Sequence, residues 1–115
     1  VATSLADFQV DGVIVTNTTI SRHAVTGLRH GDETGGLSGA PLRDQSNHAL
    51  QLLAREVGTQ MAIIGVGGIM AGADAAEKIR LGADLVQLYT GFIYAGPDLI
   101  RACVDAMAKA GIDQG

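Results

Sequence analysis

The chain has 115 residues, 47% of them hydrophobic and 17% charged, with a formal net charge of −4. This is enough for one compact unit and too little for two ordinary domains. The acidic balance, with eight Lys and Arg scattered along the sequence, argues against nucleic acid as a partner, the single Cys103 has no partner for an internal disulfide, and no apolar run approaches the roughly 18 residues of a membrane span.

In chain order, residues 1–10, with Leu5, Ala6 and Phe8, read as the end of a helix. "DGVIVTN" (Asp11 to Asn17) is a short β-branched apolar run flanked by Gly12, which predicts a buried strand. A long loop, Thr18 to Ala40, follows and ends in "TGGLSGAPL" (Thr34 to Leu42); a loop of this length is usually functional or disordered. The stretch Arg43 to Val57 puts Leu50, Leu53 and Val57 on one helical face, with Pro41 near its start and Gly58 as a stop. "AIIGV" (Ala62 to Val66) is a second strand, Ala71 to Leu81 a second full helix ended by Gly82, and "DLVQLY" (Asp84 to Tyr89) a third strand. Pro97 to Ala110 closes the series, with Ile100, Cys103, Val104 and Met107 as an apolar stripe before Gly111.

Buried strands joined by helices imply a parallel sheet covered on both faces. Three strands leave two bare edges, whereas an eight-stranded β/α barrel of about 250 residues leaves none. The expectation is therefore α/β, either the last portion of a TIM barrel or an excised piece of a doubly wound sheet. The start at Val1, without a basic-plus-apolar leader, fits a fragment and offers no targeting signal.

The strand ends carry the candidate chemistry. In "IIGVGGI" (Ile63 to Ile69), Gly67 and Gly68 fall where a strand meets a helix, at the carboxyl edge where α/β proteins place ligands. Without Cβ atoms a phosphate can approach the backbone there, although glycines also serve simply to make a turn. One unit later "YTG" (Tyr89 to Gly91) offers a hydroxyl and a small residue at the same edge. "TNTT" (Thr16 to Thr19) ends the first strand, and the Asn17 amide could hold the edge of a planar heterocycle or cap a turn. Gly35, Gly36 and Gly39 suggest either close backbone approach or loop flexibility.

"DGVIVTNTTISR", "ETGGLSGAPL", "IIGVGGI" and "GADLVQLYTGFIYAGP", in this order from about Asp11 to Ile100, resemble the C-terminal third of dihydroorotate dehydrogenases. The combination of "TNTT" and "GGLSG" favours the quinone-linked, membrane-associated class 2 over the soluble class 1. The resemblance implies the terminal three βα units of a (β/α)8 TIM barrel, residues 1–115 forming the C-terminal part of a single FMN-binding domain. It implies oxidation of dihydroorotate to orotate in pyrimidine synthesis, with FMN as cofactor and a quinone as acceptor. Carried over by position, Thr16, Gly39, Gly68, Tyr89 and Thr90 correspond to FMN-contacting residues, and Asn17 with Thr18 to the substrate-holding pair. The family often has Ser where Thr90 stands. Its catalytic serine base and flavin-side lysine lie upstream of the matched segment, as does the region facing the quinone, so no catalytic residue is assigned and these 115 residues alone are expected not to turn over. Location at the cytoplasmic side of the membrane, as a peripheral protein, is likewise implied by the resemblance.

The remaining polar residues draw plainer readings. None of Ser4, Ser21, Ser38 and Ser46 matches the family's base, and Lys78 and Lys109, within helical patterns, read as solvent-facing. His23, His30 and His48 lack metal-ligand spacing, so no metal is expected. Cys103 reads as a small core residue, Asp32 and Glu33 as solvated, and Arg22 as either a loop partner or a flavin-site residue. Two rival functions remain: another β/α barrel binding a nucleotide or sugar phosphate, and a non-catalytic half-barrel forming a homo-oligomer through strand edges at Val13 and Leu85.

Overall fold

The computed structural model describes residues 2–17, 26–29, 31–32, 35–58 and 60–114. A helix α1 (Ala2–Asp7) leads into strand β1 (Gly12–Val15); after the long loop, a single 3-10 turn (Ala40–Leu42) runs into α2 (Arg43–Val57). Then come β2 (Ala62–Val66), α3 (Gly72–Arg80), β3 (Leu85–Gln87), α4 (Thr90–Ala95) and α5 (Asp98–Gln114). The strands form one parallel sheet in the order β1-β2-β3, with Ile14 opposite Ile64 and Val15 opposite Gly65, and with Ile64 opposite Leu85 and Gly65 opposite Val86.

Because side chains alternate along a strand, this register sorts the sheet into two faces. One row, Val15, Gly65 and Val86, points toward the helices, and Ile63 lies beside it, 1% exposed. There Val15, Leu50, Val57, Met61, Ile63 and Ala83 make one hydrophobic cluster. Ile69, Ala75, Leu99 and Cys103 make a second, between α3 and α5. The other row, Ile14, Ile64 and Leu85, faces away, and Ile14 and Leu85 remain 58% and 60% exposed. The prediction of a sheet covered on both faces is thus corrected: among the described residues, helices cover one. Helices on one face and apolar side chains on the other are the arrangement of barrel strands, so the barrel is favoured over the doubly wound sheet.

The predicted order of strands and helices holds, with shorter strands and three local differences. The short helix α4 was not predicted. Helix α5 continues through Gly111 instead of stopping before it. Its buried stripe is Leu99, Cys103 and Ala110, while Ile100 and Val104 are about half exposed, at 50% and 51%. The rotation follows from a close approach to α3: a Cβ on Gly72 would stand 2.6 Å from the Ala102 carbonyl oxygen, so small residues set this contact. Cys103 is buried as expected, and burial pushes its thiol pKa up.

Candidate functional site

A cavity of about 430 Å³ opens at the carboxyl ends of the three strands. Thr16 and Asn17 reach it from β1, Gly67 and Gly68 from β2, and Tyr89 and Thr90 from β3, while Ser38 and Gly39 arrive from the long loop. Ile14, Leu42, Val66, Ile69 and Leu88 supply apolar wall. Every sequence-predicted site residue within the described set therefore lines one cavity. Thr18 lies outside the described residues, as do Arg22, His23, His30 and Glu33.

The loop is tied to the third strand end by a hydrogen bond between Ser38 Oγ and Thr90 Oγ1, 2.8 Å apart. Gly39 has φ 79°, and a Cβ there would come within 3.0 Å of the Thr90 methyl carbon, so close approach is the reading that holds at this glycine. At Gly35 a Cβ would meet nothing within 4 Å. The peptide bond between Val15 and Thr16 is cis.

Gly68 requires a different explanation from the one its sequence context suggests. It lines the cavity, yet the Cβ it lacks would run into the Cα and Cβ of Arg43 at the start of α2, and its φ is +75°. Helix packing and backbone conformation therefore demand glycine at this position, whatever the cavity holds. The same holds for Gly67, where a Cβ would stand 2.7 Å from Ser46 Oγ.

Behind this turn lies a polar network that sequence reasoning missed. Lys78 was expected in solvent; it is 0% exposed, as is Ser46. Its stem passes over Gly65, where a Cβ would sit 3.2 Å from Lys78 Cδ, and its Nζ donates to Ser46 Oγ at 2.9 Å. Ser46 Oγ donates in turn to the Val66 carbonyl, which also accepts the Thr16 amide at 3.0 Å. The network thus joins α3, α2 and the ends of β2 and β1. Burial pulls the Lys78 pKa down to about 8, with Asp74 opposing and Arg43 adding to the shift. Asp74 accepts the Met70 and Ala71 amides at the start of α3 and pairs with Arg43 at 2.7 Å. A signal was available: Ser46 is four residues from both Leu42 and Leu50, hence on the buried stripe of α2, and Lys78 follows Ala75 by three.

Chemically, the cavity pairs hydroxyl groups and glycine backbone with an apolar wall, the combination that suits a flat ring carrying a phosphate. Among the described residues, no cluster of three or more His, Cys, Asp or Glu is placed to hold a metal.

Comparison with known proteins agrees with the motif reading. The family model for dihydroorotate dehydrogenase matches residues 1–110. The dihydroorotate dehydrogenase (quinone) of Polynucleobacter asymbioticus is 57% identical over 110 residues, 96% of this chain and 32% of that protein. Its counterpart from Pseudomonas fluorescens is 61% identical over 108 residues, 94% of this chain and 32% of that protein. Among solved structures, the crystal structure of DHODH from Eimeria tenella in complex with ferulenol gives a TM-score of 0.88 at 39% identity, over 99% of this chain and 30% of that one. A ligand-free form from the same organism gives 0.85 at 42% identity, over 92% of this chain and 29% of that one. The chain thus spans about a third of the length of the curated relatives it matches.

Proposed function

The chain belongs to the dihydroorotate dehydrogenase family, and from that premise we propose that it forms the last three βα units of an FMN-binding barrel that oxidises dihydroorotate to orotate and delivers the electrons to a quinone. The observation that carries the proposal is the convergence of Thr16, Asn17, Gly39, Gly68, Tyr89 and Thr90, from three strand ends and one loop, on a single cavity. Bound FMN supplies the redox chemistry, accepting the hydride that leaves dihydroorotate.

The residues present in this chain bind and position. Thr90 and Ser38, already hydrogen-bonded to each other, present hydroxyls to the phosphate end of the cofactor, beside the Gly67–Gly68 backbone. Ile14, Val66 and Leu88 give the flat ring an apolar wall. Asn17, at the exit of β1, offers an amide that both donates and accepts, suited to the paired polar edge of a dihydropyrimidine; Thr18, next in sequence, is assigned to the same role. Proton removal from the substrate falls to a base elsewhere in the complete barrel.

A quinone acceptor is itself lipid-soluble, which supports peripheral association with a membrane, on its cytoplasmic side as the family resemblance implies; among the described residues no helix is long and apolar enough to cross one. The test is Asn17→Ala in a full-length chain. Loss of a substrate hydrogen bond should raise KM for dihydroorotate or lower kcat by roughly tenfold, with flavin content unchanged. Wild-type kinetics in that variant would remove Asn17 from the site.

A further inference from the structure

Among the described residues, the cavity wall contains no Lys or Arg. One buried cation stands immediately behind the wall. Among the described residues the Lys78 ammonium has a single hydrogen-bond partner, Ser46 Oγ, and no carboxylate within ion-pair distance. Ser46 in turn reaches two cavity-lining positions, the second of them in the glycine turn proposed to face the phosphate: it donates to the Val66 carbonyl, and its Oγ lies 2.7 Å from where a Gly67 Cβ would be. The charged groups acting on Lys78 are Asp74, on its own helix, and Arg43, at the start of α2, and these two are paired with each other. The strands packed against it contribute uncharged Gly65 and Val66, and the turn before β3 contributes Ala83. A buried ammonium without a counter-ion is costly unless a negative charge lies near it.

We infer that Lys78 is the positioning residue that supplies the positive charge for the phosphate of the cofactor, acting from behind the glycine turn through Ser46 and without touching the ligand. This rests on the assignment of the cavity as an FMN site. It turns an otherwise unfavourable buried charge into a selector for phosphorylated over unphosphorylated flavin, because an ion one layer away in a poorly screened interior acts on a dianion and leaves a neutral ribityl chain unaffected. The burial-lowered Lys78 pKa, about 8, adds a direction: as pH rises through that value the ammonium loses its proton and its hold on phosphate. Phosphate monoesters have their second ionisation near about pH 6, so the ligand itself remains a dianion across this range.

The experiment measures FMN and riboflavin binding to the apoprotein of a full-length chain, by quenching of flavin fluorescence, for the unmutated protein, Lys78→Met and Lys78→Gln. Met replaces the stem without charge, and Gln retains a donor toward Ser46. Both variants should lose roughly tenfold in FMN affinity, the scale of one unit charge a few ångströms behind a wall, with riboflavin affinity unchanged. In the unmutated protein the preference for FMN over riboflavin should fall as pH rises from about 7 to about 10, a measurement that depends on no variant. A Lys78→Gln protein with the unmutated preference, or a flat pH profile, would overturn the role of Lys78 while leaving the FMN site standing. An unmutated apoprotein that bound neither flavin would overturn the FMN site and this inference together.

Discussion

On the helix-covered face of the sheet Val15 and Ile63 are 7% and 1% exposed, whereas on the opposite face Ile14 and Leu85 are 58% and 60% exposed. The residue types are nearly the same on the two faces; what differs is what lies against them. In a sheet with one face meant for water, the outward positions would be polar, giving a period-two alternation. Here the outward row Ile14, Ile64 and Leu85 is aliphatic as well, so these positions are built for burial on both sides. The helices α2 and α3 bury one side, and a barrel interior is the natural cover for the other.

The helix-covered side should tolerate change least, beginning at its upper end. Gly68→Val forces a branched side chain into the Arg43 backbone at a positive φ, and the expected loss in a full-length chain exceeds about 4 kcal/mol, the range reserved for severe core disruption. Denaturant unfolding of the apoprotein separates two causes. If the glycine served only to admit phosphate, the apoprotein would keep its stability and lose only flavin binding. Packing against α2 predicts that the apoprotein itself is destabilised.

Next in size is Ile63→Ala. Ile63 is in the first hydrophobic cluster with Leu50 and Val57, and removing three buried carbons should cost about 2–4 kcal/mol, read from the denaturation midpoint at constant slope. A loss below about 1 kcal/mol would mean that the cluster repacks freely, and the contrast between the two faces would disappear.

Much of this arrangement was legible beforehand, for definite physical reasons. Short apolar runs with glycines close by located all three strands, and the periodicity of Leu50, Leu53 and Val57 located the buried face of α2. That the candidate residues at the strand ends share one cavity was legible from the motifs, since fold topology brings strand ends together whatever the loops do. Other features depend on contacts between elements distant in sequence. Lys78 is buried because register places side-chain-free Gly65 beneath its stem and α2 brings Ser46 to its tip, two facts that no pattern within α3 contains. The orientation of α5 depends on the close approach at Gly72 and Ala102. The six-residue α4 has no side-chain cap at its N-terminus, so its TGFIYA segment carried little to distinguish it from loop.

The smallest effect is also the most informative about what covers the bare face. Leu85 stands in register with Ile64 and, through it, with Ile14, forming an apolar row across all three strands. In the 115-residue chain, Leu85→Ala removes a side chain that is already 60% exposed, and the expected change in unfolding free energy is below about 1 kcal/mol. In a full-length chain, where further strands would close the barrel over this row, the same substitution removes a core residue and should cost about 2–4 kcal/mol. The difference between the two measurements reports burial of the row by the rest of the barrel. Equal small losses in both would mean that the row stays open to solvent in the longer protein, and barrel closure over β1 to β3 would fail. Equal large losses would mean that the short chain already covers this face, as the proposed self-association through its strands would do, and a concentration-dependent denaturation midpoint would identify that case.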